Sequence, residues 1–570
     1  MYKGTEASAG IGIGKAVLVR SAEPVIRREL AADADAEVER LRKALADTAV
    51  RTEKLASELA SRTGEKEAGI LQAHLMLLSD PTLIGEIESF IRKEAVCSEY
   101  AVEAVCSAYA GLFSAMDDER MRQRAADVKD IKNRLQQVLQ GIEPEDAAWL
   151  PPGSVILAKD LKPSMTAGIL PSHIAGIVTE QGSRTSHSAI LARALEIPAV
   201  VAAAGILDAV SDGDDIIVDG NAGEVLLRPS EAQKAEYRQK REQFLREKKE
   251  LERYIGRPTV TLDGVQVELA ANIASPEDVE KVLRYDGEAI GLFRTEFLFM
   301  DRTCVPAEEE QFQAYRKTAG AMGGRPVIIR TLDIGGDKEV PCMGLKKEEN
   351  PFLGYRAVRL CLDRKEDIYR PQLRAILRAS AFGAVRIMIP MVTSLEEFRE
   401  TRQLIREIQT ELTEEGTAFD PHIPVGIMVE TPAAVLLADS FAREADFFSI
   451  GTNDLTQYTL CVDRGSEKVS DLYSPFHPAV LRSIRHIITC GRNAGIPVGM
   501  CGEAASDPMM IPLLLAFGLN EFSMSPSAIL QARKIITGYR AEDLQEMAAQ
   551  VMKLETAGET EDFLRAFAGC

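Results

Sequence analysis

Between residues 258 and 570, short apolar runs alternate with segments of helical texture. The runs span 268–273, 289–293, 326–331, 384–390, 426–429, 446–450, 497–500 and 521–524. Eight β-then-α units in about 300 residues predict a parallel (β/α)8 barrel, because each parallel strand needs a crossover before the next can join it. In such a barrel the C-terminal ends of all strands meet at one rim. Polar residues that follow the runs therefore converge even when they are far apart in sequence.

Those residues form a charged set. Arg294-Thr295-Glu296 follow the second run, and Arg330, Asp333, Gly335-Gly336-Asp337 and Lys338 follow the third. Glu430 follows the fifth, Thr452-Asn453-Asp454 the sixth, Cys501-Gly502-Glu503 the seventh and Ser525 the eighth. Cations and carboxylates on one rim predict a multiply charged anionic substrate together with a divalent metal. The planar fork of Arg matches phosphate or carboxylate with two bonds, so Arg294, Arg330, Arg356 and Arg464 are candidate clamps. Glu430 and Asp454 suit Mg²⁺, which takes one or two carboxylates and fills its shell with substrate oxygens and water. For any single Arg, an ordinary ion pair on the rim is the competing explanation.

The N-terminal part has a different organisation. Gly10, Gly12 and Gly14 lead into an expected edge strand, Ala16-Val17-Leu18-Val19. Gly14-Lys15 is no phosphate-binding loop, because Ala9 and Ala16 replace the Gly and Ser/Thr that loop requires. Residues 31–145 read as an inserted bundle of about four helices, with a break at Ser79-Asp80-Pro81. Short apolar runs return at 155–158, 174–178 and 216–218, so residues 1–30 and 146–229 form one α/β domain. Residues 230–257 are a charged linker helix, and 258–570 are the barrel. The fold class is thus multidomain α/β: an α/β domain carrying a helical insertion, plus a C-terminal (β/α)8 barrel.

A second candidate locus is Gly182-Ser183-Arg184-Thr185-Ser186-His187-Ser188. His187 stands where a helix begins. Neutral imidazole is a competent nucleophile toward a phosphoryl group, and free N–H groups of a helix start would hold the phosphate acquired. A capping or structural histidine is the alternative. The other five histidines, His74, His173, His422, His477 and His486, have no metal-ligand spacing and read as structural or surface residues.

Composition narrows the functional classes. A formal net charge of −20 speaks against wrapping nucleic acid or lying on an anionic membrane. No apolar run approaches the ~20 residues of a membrane helix and no signal peptide is read, so the expected location is cytoplasmic. Nine cysteines without a CxxC pair predict neither a disulfide framework nor a zinc site.

Six segments, taken together and in order, resemble the phosphoenolpyruvate-utilising enzymes. Over nearly the whole chain the resemblance is to the Enzyme I family of the bacterial sugar phosphotransferase system. The segments are Gly182–Ile190, Gly291–Met300, Asp333–Lys338, Asn350–Arg356, Gly451–Tyr458 and Gly499–Glu503. The resemblance implies that His187 is the phosphorylated nucleophile on a swivelling phosphohistidine domain. It implies a phosphoenolpyruvate site in the barrel, with Mg²⁺ on Glu430 and Asp454. Arg294, Arg330, Arg356 and Arg464 would hold the substrate, assisted by Lys338 and Asn453. Cys501 would protonate the pyruvate enolate, with a thiol expected near pKa ~8.5. The insertion would dock the phosphocarrier protein HPr through Met76, Leu77 and Leu83, and two copies would join through their barrels as a homodimer. The swivel is expected near 20–30, 145–150 and 229–258.

The resemblance has two departures. Gly182-Ser183-Arg184 replaces the family's Gly-Gly-Arg, and Ala203-Ala204 stands where Gly and Thr are frequent; neither touches the expected chemistry. A phosphoenolpyruvate synthase or pyruvate phosphate dikinase would need an ATP-binding domain for which residues before His187 leave no room. No sensor domain is expected ahead of residue 1. A catalytically silent regulatory relative, or a barrel lyase in which His187 is incidental, are the readings from other classes.

Overall fold

The structure is a computed structural model. It describes residues 1–19, 26–63, 74–114, 119–141, 150–161, 171–182, 186–300, 304–335, 340–346, 348–464, 466 and 468–569. The chain divides into two units, Met1–Lys248 and Lys249–Cys570.

In the first unit, eight described strands form one sheet. They are β1 (Tyr2–Lys3), β2 (Thr5–Ser8), β3 (Ile11–Leu18), β4 (Ser154–Ala158), β5 (Ile174–Thr179), β6 (Ala199–Val201), β7 (Asp215–Asp219) and β8 (Glu224–Leu227). Their order is β1-β8-β7-β3-β4-β5-β6-β2. The expected edge strand is therefore central: β3 pairs with β4 in parallel and with β7 antiparallel. The glycines that suggested a turn serve close approach instead. A Cβ on Gly12 would lie 2.0 Å from Ala175 O, and one on Gly14 2.0 Å from Gly153 O. Both faces of β4 are covered, Ile156 and Ala158 on one side and Val155 and Leu157 on the other. That accounts for its unbroken apolar run.

Between β3 and β4 lie helices Ala34–Thr63, Pro81–Glu94, Ser98–Ser114 and Glu119–Leu139, with a further helical turn over 74–78. Asp80 caps the second, its side chain accepting from Thr82 N and Leu83 N, with Pro81 at the first helical position. Leu41, Leu83, Ile87, Ile91, Val102 and Leu135 meet in the core of this bundle. Each such side chain contributes about 1.5–3 kcal/mol by leaving water. Leu83 is thus a core residue, 7% exposed, whereas Met76 is 76% exposed and Leu77 packs at the margin of the core. The expectation that Leu83 faces a docking partner is corrected on this point. Its side chain lies on the Leu83–Ile87–Ile91 stripe, which repeats every four residues and faces inward.

Helix Glu231–Leu251 follows β8, and its Tyr237 packs with Ile11, Ile217 and Leu226. In the second unit, β9 (Glu268–Ile273), β10 (Ala289–Arg294), β11 (Val327–Arg330), β12 (Val385–Ile389), β13 (Val425–Val429), β14 (Phe448–Ile450), β15 (Val498–Met500) and β16 (Glu521–Met524) close into a barrel. Every pair is parallel, and β16 returns to β9. Alternation sends Leu292, Ile328, Met388 and Met428 inward, where they meet Phe447 and Cys501. Phe293, Ile329, Ile387 and Ile427 point outward into the layer of helices. The start of this unit is tied down by Arg533, whose side chain is fully buried. It donates to Tyr254 O at 3.0 Å, Thr259 Oγ1 at 3.0 Å and Asp286 Oδ2 at 2.6 Å.

Candidate active site

The strand ends deliver the charged set to one rim. Arg294 and Arg330 are the last residues of β10 and β11, and Glu430 and Cys501 directly follow β13 and β15. Asn453 and Asp454 open helix Thr452–Leu460 just beyond β14. Arg356 immediately precedes helix Ala357–Asp363.

Arg330 and Arg356 are buried, 7% and 4% exposed, and each is paired. Arg330 bonds Glu296 and meets Asp333 Oδ2 at 3.0 Å, and Arg356 Nη2 donates to Asp333 Oδ1 at 2.7 Å. Thr295 adds a bond of 2.9 Å to Arg330 O, and Gln372 reaches Thr295 Oγ1 at 3.2 Å and Leu332 N at 2.9 Å. The guanidinium groups are therefore aimed before any anion arrives. Glu296 and Asp333 stood among the strand-end residues in the sequence without an assigned role. Each follows a candidate clamp within three residues, Arg294 or Arg330, and that spacing was the available signal. Gln372, Ser449, Tyr458 and Tyr473 were missed, and only their buried partners identify them.

Glu430 is the centre of the acidic side. It is fully buried, and its Oε1 accepts from Met391 N at 2.7 Å. Its Oε2 has no hydrogen-bond partner among the described residues. A Cβ on Gly451 would stand 2.6 Å from that oxygen, so the glycine keeps the approach to it open. Burial pushes the Glu430 carboxyl well above the usual range, and the charges of Asp454 and Asp333 add to this against Arg330. A buried carboxylate oxygen without a donor, facing a second carboxylate, fits a divalent cation, which would remove the penalty. Among the described residues no group of three or more His, Cys, Asp or Glu is arranged to hold a metal. Two carboxylates plus substrate oxygens is the arrangement that Mg²⁺ accepts.

Cys501 is 4% exposed, with Sγ 3.9 Å from Ile450 O. Burial pushes its thiol up to about 11, opposed by the neighbouring Ser449 hydroxyl and the charges of Arg330 and Arg294. The expected value near ~8.5 is thus corrected upward, because the thiolate would be stranded away from water. The group is an acid that keeps its proton at neutral pH. Arg330, Glu430 and Arg294 therefore all act on the charge of Cys501.

Close to Asp454 and Cys501 in the chain, Asn453 and Glu503 are joined, Asn453 Oδ1 accepting from Glu503 N at 3.2 Å. Arg464 is exposed and its N–H donates to Gln457 Oε1 at 3.3 Å. Burial raises the Tyr473 hydroxyl, and Arg464 opposes the rise, while the hydroxyl itself donates to Asn453 O at 3.3 Å. Lys338 lies outside the described residues.

The histidine locus belongs to the first unit. Helix His187–Ala194 starts at His187, with Ser186 at the N-cap in extended backbone. Gly182 has φ +113, and a Cβ there would lie 2.9 Å from Ser186 Oγ, so the position requires glycine. Ala189 and Ala192 are buried against the sheet, and Arg193 Nη1 bonds Ala7 O at 2.9 Å. The Ser183-Arg184 departure and the His187 side chain lie outside the described residues. Of the other histidines, His477 caps helix Pro478–Ala494 by accepting from Ala479 N, and His173 Nδ1 lies 2.9 Å from Leu150 O. The eight described cysteines are free.

Three family models cover most of the chain. The PEP-utilising enzyme, N-terminal model matches residues 3–124, the mobile domain model residues 150–223, and the PEP-binding domain model residues 248–540. The phosphoenolpyruvate-protein phosphotransferase of Staphylococcus carnosus is 46% identical over 565 residues, covering 99% of this chain and 98% of its own length. Those of Geobacillus stearothermophilus and Bacillus subtilis are 45% and 44% identical, each covering 99% of this chain and 97% and 99% of their own lengths. A closed parallel barrel with a charged anion site and a separate mobile-domain match defines a PEP-utilising enzyme. Within that class the chain belongs to the phosphoenolpyruvate-protein phosphotransferase family.

Proposed function

We propose that this chain takes the phosphoryl group of phosphoenolpyruvate onto His187 and passes it to a histidine of the phosphocarrier protein HPr, releasing pyruvate, as the first step of sugar uptake by the phosphotransferase system. The observation that carries the reading is the pair of buried, pre-aimed guanidinium groups, Arg330 and Arg356, beside Glu430 and a protonated Cys501.

The clamps Arg294, Arg330, Arg356 and Arg464 bind the phosphate and carboxylate, with Lys338 and Asn453 assisting. Glu430 and Asp454 would hold Mg²⁺, which when bound would supply positive charge to offset that of the substrate. Phosphoryl transfer then needs in-line placement more than covalent help. The P–O bond to the enol oxygen breaks as a bond to the His187 ring nitrogen forms. The enolate left behind takes its proton at C3 from Cys501, and the thiolate regains one from water. Reprotonation draws the first step forward.

HPr would dock on the helical bundle near exposed Met76, with Leu77 at the margin. The barrel would join two copies in the cytoplasm, and the first unit would swivel to carry His187 between sites. Incubation with ³²P-labelled phosphoenolpyruvate and Mg²⁺, beside a His187→Ala variant, tests the core of this reading. Pyruvate and acid-labile protein phosphate should both appear in the unaltered chain, and the label should vanish in the variant. Pyruvate without label would leave a barrel lyase. Label from ATP without phosphoenolpyruvate would revive the dikinase reading. Neither product would leave a silent regulator.

A further inference from the structure

The Cys501 thiol is held loosely by its own contacts, with Sγ 3.9 Å from Ile450 O and the Ser449 hydroxyl beside it. Its aim must come from its backbone, and that backbone is gripped from two sides. Toward β14, Cys501 N donates to Ile450 O at 3.1 Å and Glu503 N donates to Asn453 Oδ1 at 3.2 Å. Toward β9, Asn272 Nδ2 donates to the Cys501 carbonyl at 3.0 Å.

The second grip spans the seam where the barrel closes. In the sheet, β9 is hydrogen-bonded to β10 and β16 but not to β15. The Asn272 side chain reaches past β16 to the end of β15. Ser523 on β16 sets its orientation, because Ser523 Oγ donates to Asn272 Oδ1 at 2.7 Å. With the amide oxygen so occupied, the NH₂ group points at Cys501 O, and a second contact to Ser523 O at 3.4 Å agrees with that orientation. Gly291 leaves the room this requires, since a Cβ there would lie 2.5 Å from Ser523 Oγ. The inward-facing amide is thus anchored on β16 through Ser523 and spends its shorter donor bond on the strand end bearing the thiol.

We propose that Asn272, oriented by Ser523, is a positioning residue that aims the Cys501 thiol at one face of the enolate. This inference rests on the proton-donor role proposed above for Cys501. In the step concerned the S–H bond breaks, the enolate π electrons form the new C3–H bond, and water later restores the thiol. Without the Asn272 bond the peptide of Cys501 rotates and the thiol leaves its line to C3.

The test uses phosphoenolpyruvate carrying deuterium and tritium on C3 in one geometry, in ordinary water with Mg²⁺. Delivery of the proton to one face gives pyruvate with a methyl group of one handedness. An enolate that escapes is protonated on either face. The unaltered chain should give a single handedness. Asn272→Ala should make pyruvate about tenfold more slowly, as loss of one buried bond predicts, and with handedness largely lost. Asn272→Asp sets a carboxylate against the Cys501 carbonyl and should lose at least as much. Ser523→Ala should fall between these and the unaltered chain. A slower variant with handedness intact means a merely structural residue and overturns the proposal. If the Asn272 variants do not fold, intact handedness in Ser523→Ala overturns it equally. A racemic product from the unaltered chain, with His187 phosphorylated, overturns it together with the donor role of Cys501. No phosphohistidine in the unaltered chain instead overturns the phosphotransferase reading.

Discussion

Arg330 and Arg356 share one carboxylate: Asp333 takes the first guanidinium on Oδ2 at 3.0 Å and the second on Oδ1 at 2.7 Å. The two cations come from different segments, the end of β11 and the residue before helix Ala357–Asp363. Side by side in a buried place they would repel, and Asp333 turns that repulsion into a fixed spacing.

Asp333→Asn should loosen both clamps at once. Phosphoenolpyruvate affinity, measured by titration calorimetry in a His187→Ala background, should drop by roughly tenfold or more, because a buried charge pair has lost one member. Denaturant unfolding of the same variant should show a loss of about 3 kcal/mol. Unchanged affinity would mean that the clamps do not depend on Asp333.

Cys501→Ala should slow pyruvate formation by roughly 10²–10⁴-fold, the range for a general acid, with smaller change in substrate affinity. With the thiol held up at about 11, the unaltered chain should keep this step through neutral and mildly alkaline pH and lose it as pH passes that value. The unfolded chain releases this proton first, near 9.0, so stability should also fall between there and about 11. A pH–rate profile that breaks near neutrality would contradict the burial argument.

Glu521 offers a stability test away from the rim. It lies inside the barrel, in register with Glu268 on β9. Burial, then Glu268, pushes its carboxyl up to about 8, partly opposed by Arg386. An unfolded Glu releases its proton near 4.5, so from there to about 8 the unfolded state holds fewer protons and stability falls as pH rises. Glu521→Gln should flatten that dependence and be more stable than the unaltered chain at pH 8, by about 2–4 kcal/mol. Denaturant unfolding at pH 5, 7 and 9 checks the sign.

Leu83 and Met76 separate core from surface in the helical bundle. Leu83→Ala should destabilise the bundle by about 2–5 kcal/mol, as buried truncations do. Met76→Asp should leave the melting temperature within a few degrees and weaken HPr binding in titration. Equal loss of HPr affinity with a well-folded Leu83→Ala bundle would return Leu83 to the surface.

Much of this was legible in sequence. Runs such as 289–293 and 426–429 coincide with β10 and β13, because strands buried on both faces are continuous apolar stretches bounded by polar residues. The break at Asp80-Pro81 is local capping chemistry and needs no distant partner. What was misread depends on distant neighbours. Gly12 and Gly14 suggest a turn until the chain around β4 and β5 packs against them. Leu83 could face outward until three other helices cover it. Cys501 has an ordinary thiol until Met428, Phe447 and Leu292 exclude water from it.

The sequence by itself determined the alternation that closes a barrel and the charged residues that each strand end presents, since both follow from local periodicity. Only the tertiary structure decided that Asp333 joins two arginines, that Glu430 keeps a bare oxygen and that Asn272 braces the Cys501 loop across the seam. Apart from the local Arg330–Asp333 pair, those contacts link residues tens to hundreds of positions apart. Burial and pairing then set their charge, and neither is a property of a residue alone.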